Sequence, residues 1–249
     1  MPRYFIEVSY KGTNYSGFQK QKNANSIQAE IEKSLKIFFK KDFELTGSSR
    51  TDAGVHALQN FFHFDTDDQL NFKNDFQYNL NALLPKDIVI KKIFSVKDNA
   101  HCRFDAISRE YKYFIYQEKN PFLEPTAYYF PYKLDMEKLN ETASQIMRYE
   151  DFSSFSKKHT QVNNFLCKIE KSEWKMQGNV LVYNVIANRF LRGMVKGLVG
   201  TMLYIGIDKI TKKEFLKIIE NKDLSRVNFS PPSHALFLIT VNYKPGIFQ

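Results

Sequence analysis

The apolar residues of this chain switch between a period of two and a period near 3.6 in a set order, and that order constrains the fold more than any other feature. Arg3 to Tyr10 alternates, placing Tyr4, Ile6, Val8 and Tyr10 on one face of a half-buried strand. Ile27, Ile31, Leu35 and Phe38 then follow a helical stripe, with Asn25 or Ser26 placed to cap it. A strand pattern from Gln59 to Phe64 comes next. A second helix carries Phe76, Leu80, Leu83 and Leu84, with Asp75 as its cap and Pro85 as its stop. Ile88 to Phe94 is another strand, so the first part reads β-α-β-α-β.

The same alternation continues. Glu110 to Tyr116 is a strand with Tyr111, Tyr113 and Ile115 on one face, and Leu134 to Tyr149 is helical through Leu139, Ala143, Ile146 and Met147. Lys168–Trp174 and Val180–Ala187 form a hairpin around Gln177-Gly178-Asn179. Phe190 to Tyr204 follows as an amphipathic helix. A shorter helix opens with a capping box of Thr211 and Glu214, and Leu236 to Tyr243 closes as a strand. The order β-α-β-β-α-α-β is close to the ferredoxin-like split βαβ. The expected class is therefore α+β, with two ferredoxin-like or RRM-like halves, each a mainly antiparallel sheet with helices on one face. The expected division is 1–100 and 101–249, with a cleft between the halves as the binding site.

Charge and aromatic content narrow the partners. The net charge is +9 and aromatics make up 15% of the residues, a combination that suits a polyanion such as nucleic acid. Cys102 and Cys167 are the two cysteines, far apart and without metal-ligand spacing. They argue against a zinc site or a disulfide framework, and for a reducing, cytoplasmic setting. The start of the chain enters a strand pattern directly, without signal-peptide features. The most apolar long window, Phe190 to Ile207, contains Arg192 and Lys196, so no membrane span is expected. No Walker loop, GxGxxG, GxSxG or HExxH occurs.

The stretch Gly47-Ser48-Ser49-Arg50-Thr51-Asp52-Ala53-Gly54-Val55-His56-Ala57-Leu58 lies between a helix pattern and a strand pattern. Polar residues in such a connection are where a scaffold presents chemistry. A single acid two positions after an arginine can serve as nucleophile or base, although a lone loop aspartate more often closes a turn.

Arg50–Ala57 resembles the signature of the tRNA pseudouridine synthase A (TruA) family. Three further stretches, Tyr10–Gln19, Ser108–Tyr113 and Asn188–Gly200, resemble other family segments in family order. The resemblance implies a pseudouridine synthase fold with the site in a cleft between two halves. It also implies a homodimer and a cofactor-free, metal-free isomerase that converts uridine to pseudouridine in the 3′ half of the tRNA anticodon arm. Asp52 matches the family's essential aspartate, and it could attack C6, attack C1′ or abstract the ribose 2′ proton. Tyr111 matches the active-site tyrosine. Lys196 stands where the family usually has the arginine that pairs with the aspartate, so it keeps the charge and loses the bidentate fork. Arg50 and Arg103 match family arginines placed to contact RNA. Lys11, Tyr15, Phe18, Lys20 and Lys22 suit a surface of mixed stacking and phosphate contacts. Two rivals remain: a non-catalytic tRNA-binding or chaperone protein on the same fold, and the same chemistry on a different RNA site.

Overall fold

A computed structural model describes residues 1–67, 75–158, 162 and 164–248. Contacts divide the chain into two compact units, Met1–Ile107 with Leu238–Gln249, and Ser108–Phe237. This differs from a division at residue 100 in two respects: the boundary falls after Ile107, and most of the last strand returns to the first unit. It does so because it adds to that unit's sheet.

In the first unit, β1 (Arg3–Tyr10) leads to α1 (Ile27–Phe39), β2 (Thr46–Gly47), β3 (His56–Asp65), α2 (Phe76–Ala82) and β4 (Ile88–Val96). β1 is central and antiparallel to both β3 and β4, with Ile6 opposite Phe62 on one side and Ile93 on the other. The second unit holds most of β5 (Ala106–Tyr116), then β6 (Tyr128–Tyr129), α3 (Met136–Gln145), β7 (Ile169–Gln177), β8 (Val180–Ala187), α4 (Met194–Gly206) and α5 (Lys212–Glu220). β9 (Leu236–Tyr243) begins there and continues in the first unit beside β3, giving the order β4-β1-β3-β9. β8 is antiparallel to both β5 and β7.

The alternation of β1 is only part of its burial. Tyr4, Ile6, Val8 and Tyr10 are buried as expected, but Phe5, on the opposite face, is fully buried too. Its ring is covered by Tyr243 at 5.7 Å and Phe248 at 6.1 Å between centroids. The sheet of the first unit is therefore packed on both faces at this strand. α1 starts at Ser26, whose hydroxyl accepts from Ala29 N, and ends at Lys40 in the left-handed region. α2 is shorter than its pattern. Asp75 shows no capping hydrogen bond, and Leu83 and Leu84 fall beyond the helix. Asn81 instead ties α2 to β4, since its amide bonds both N and O of Ile90 at 2.8 and 2.9 Å.

In the second unit Tyr113, Tyr183 and Trp174 stand opposite one another across β5, β8 and β7, and all three are buried. Trp174 also anchors the helices: its indole N–H donates to Met202 Sδ of α4, and its backbone bonds Asn140 of α3. α3 begins two residues later than the pattern suggested, where Asp135 caps it, and closes in a 3₁₀ turn at Ile146–Arg148 that leaves Met147 exposed. α4 is not amphipathic in the surface sense. Nearly all of it is buried, and it starts only at Met194, because Gly193 in the left-handed region (φ +75°) breaks the chain from Phe190–Arg192. The expected capping box of Thr211 and Glu214 is present on α5. Among the described residues no helix is long and apolar enough to cross a membrane.

His63, His101 and Cys102 form a cluster that was hidden by the distance of His63 from the other two in sequence. Each offers a ligand atom, and these atoms lie within 4.8 Å of one another. Each makes a polar contact: Cys102 Sγ donates to Thr46 O, His63 Nδ1 lies 3.1 Å from Cys102 Sγ, and His101 Nδ1 accepts from Arg103 N. Burial, with Arg3 nearby, lowers His63 to about 4. An unfolded imidazole takes up its proton near pH ~6.5, so between that pH and the folded value the unfolded chain binds a proton that the folded chain does not. Stability is thus fully present above that window and falls as pH drops through it, by a few kcal/mol at most (about 1.4 kcal/mol per pH unit). His63→Gln is expected to flatten the slope of urea-unfolding free energy against pH there. An unchanged slope would assign the acid sensitivity to other groups.

Candidate active site

The polar run of the first unit is a frame around Asp52. Ser48, Ser49 and Thr51 are buried, Asp52 is half-buried and Arg50 is exposed. The loop is fastened from two sides. Phe18 N donates to Thr51 O at 3.1 Å, and Tyr10 Oη lies 2.8 Å from Thr51 Oγ1. Val55 N closes a turn onto Asp52 O at 3.2 Å. Gly12 permits the approach of the N-terminal segment: a Cβ there would sit 2.0 Å from Val55 O. With no side chain in the way, Gly12 N donates to His56 Nδ1 at 3.0 Å.

This packing corrects two expectations. Phe18 is 1% exposed and stacked on Phe62 with centroids 4.3 Å apart. Tyr15 is 5% exposed and donates its hydroxyl to Asp87 at 2.5 Å. A base-stacking platform needs an open ring face, and neither ring has one. Lys11 and Lys20 are exposed, with Lys20 Nζ 2.7 Å from Glu32. Arg103 is half-buried, its guanidinium 5.6 Å from the centre of the Phe104 ring. Phe104 is 74% exposed, and its other ring neighbour is His101 at 4.2 Å. No sequence signal set Phe104 apart from the many other phenylalanines.

In the second unit, Tyr111 lies on β5, 9% exposed, edge-on to Phe190 at 5.0 Å. The neighbouring Arg109 donates to Asn188 O at 2.8 Å, tying β5 to the segment before α4. Tyr113 is core, as expected, and its hydroxyl donates to Pro232 O. Lys196 is half-buried on α4, and its Nζ donates to Ser233 Oγ at 3.2 Å. Ser233 is brought there by the chain before it. A Cβ at Gly200 would lie 2.2 Å from Asn228 O, so only glycine lets residues 227–232 lie flat on α4. Asn228 N then donates to Thr201 Oγ1.

The family model described as tRNA pseudouridine synthase matches residues 6–105 and 149–244, most of the chain, with Asp52 and Lys196 inside the matched segments. The chain belongs to the tRNA pseudouridine synthase family. Tyr111 lies in the unmatched segment between the two matched ones. The chain is 44% identical to the tRNA pseudouridine synthase A of Bacteroides thetaiotaomicron over 252 residues, covering all of this chain and 93% of that protein. It is 42% identical to the enzyme of the same name from Parabacteroides distasonis, covering all of this chain and 98% of that protein. At greater distance, the Staphylococcus aureus (strain MRSA252) enzyme of that name is 35% identical, with 95% and 90% covered.

Proposed function

We infer that this chain is an isomerase that converts uridine to pseudouridine in tRNA, and that its target lies in the anticodon arm. The single observation carrying this is the loop built to present Asp52, in a chain that matches tRNA pseudouridine synthases over its whole length. The reaction moves one bond: N1–C1′ breaks, C5–C1′ forms, C5 loses a proton and N1 gains one. No net oxidation occurs, so side chains suffice for the chemistry. The target base leaves its stack first. In this reading Asp52 is the nucleophile or base, Tyr111 meets the extruded uracil with its ring or its hydroxyl, and Lys196 supplies positive charge for the Asp52 carboxylate. Arg50, Arg103, Lys11 and Lys20 contact the RNA backbone. The protein acts as a homodimer in the cytoplasm, as its family resemblance implies.

Phe104, open to solvent beside Arg103, takes the stacking role that Tyr15 and Phe18 cannot fill. Phe104→Ala is expected to weaken tRNA binding by about 1–3 kcal/mol, the worth of one stacked base, with Phe104→Trp retaining it. Fluorescence anisotropy at fixed salt checks this, and equal affinities for all three proteins would remove Phe104 from the RNA surface. The function itself is tested by incubating the purified protein with unmodified anticodon-arm transcripts. Pseudouridine in the nucleoside digest is expected, and tight binding without product would favour a chaperone.

A further inference from the structure

We propose that Tyr10 and Asn60 are positioning residues for the reaction, setting through Thr51 where the Asp52 carboxylate stands. The proposal rests on the reading of Asp52 as the reacting group. Its basis is a buried hydrogen-bond chain that core packing alone does not call for. Asn60 is fully buried, in the middle of β3. Its amide spends its hydrogen-bonding sites on the loop, its own strand and Tyr10 of β1. Oδ1 accepts from Ser49 N at 3.3 Å and Phe61 N at 2.9 Å. Nδ2 donates to Ser49 O at 2.8 Å and to Tyr10 Oη at 3.1 Å.

Tyr10 Oη accepts from Asn60 Nδ2 and shares a hydrogen bond with Thr51 Oγ1, 2.8 Å away, in which either hydroxyl can be the donor. Burial raises the Tyr10 pKa well above its ordinary value, so this hydroxyl stays protonated across the working pH range. Thr51 is thus held by its hydroxyl from Tyr10 and by its carbonyl from Phe18 N. Asp52 follows Thr51 directly, with its own carbonyl fixed by Val55 N. Few alternatives are left to the backbone on either side of the carboxylate. A reacting group misplaced by a fraction of an ångström loses rate without losing substrate affinity, so this frame acts on kcat.

A double-mutant cycle tests this. Tyr10→Phe keeps the ring packed beside Phe18 and deletes one hydroxyl, and Thr51→Val deletes its partner. Each is expected to lower kcat on an anticodon-arm transcript about tenfold, with KM unchanged. The double variant is expected to be no slower than the worse single, because the Tyr10–Thr51 bond is already lost in each single variant. Thr51→Ser, which keeps the hydroxyl, should retain kcat. Losses that multiply in the double variant, a kcat within twofold of wild type in Tyr10→Phe, or a rise in KM matching the fall in kcat would each overturn the proposal. If Thr51→Val does not fold, Tyr10→Phe and Thr51→Ser still decide it through kcat and KM. Wild-type protein in the same assay separates the two readings: without wild-type product the functional assignment fails first.

Discussion

Asp52→Asn is expected to lower pseudouridine formation at least about a thousandfold while leaving transcript affinity within about twofold. The substitution exchanges one carboxylate oxygen for an amide nitrogen at nearly constant volume. The bonds from Val55, Phe18 and Tyr10 to the loop use the Asp52 carbonyl, the Thr51 carbonyl and the Thr51 hydroxyl, none of which changes. The fold and the RNA-facing cations therefore stay in place. What is lost is a group able to attack carbon or take a proton, and an amide does neither. Single-turnover assays with excess enzyme give the rate, and anisotropy gives the affinity. A parallel loss of both would mean that the carboxylate serves RNA binding or loop structure instead.

Lys196→Met is the second large effect. Methionine preserves the length and much of the packing of the side chain on α4, so the buried face of that helix stays filled. The change removes one positive charge and the hydrogen bond to Ser233. A hydrogen bond to a charged group is worth about 1.5–3 kcal/mol, so kcat should fall on the order of 10- to 100-fold. Affinity should change little, because one cation among several sets only part of the counterion release. Lys196→Arg should keep the charge and retain most of the rate. If Lys196→Met lowers kcat and affinity alike, Lys196 is a phosphate contact. If it changes neither, the ammonium serves only to hold Ser233.

How far the sequence foretold the molecule depends on how local each signal was. The capping box of Thr211 and Glu214, the Ser26 cap and the β7–β8 turn are contained within a few residues, and all are present. The alternation of β1 located its buried face, but the burial of Phe5 was invisible, because Tyr243 and Phe248, which cover it, lie at the far end of the chain. Phe18 and Tyr15 looked like surface aromatics in a polar loop. They are core because glycine at position 12 lets that loop fold down against Val55 and His56. α4 began later than its periodicity implied, since hydrophobic spacing does not register a left-handed glycine at 193. Asp52 stood out through its neighbours in sequence. Asn60 did not, because an asparagine in a strand pattern looks ordinary until its amide is seen bonded to Ser49, Phe61 and Tyr10.

The most direct measurement is pseudouridine mapping of total tRNA from cells that lack the gene and carry either the wild-type or the Asp52→Asn chain in its place. Pseudouridine in the 3′ half of the anticodon arm should be absent without the gene, return with the wild-type chain and stay absent with Asp52→Asn. Restoration by Asp52→Asn, or anticodon-arm pseudouridine that persists without the gene, would contradict an Asp52-centred uridine isomerase.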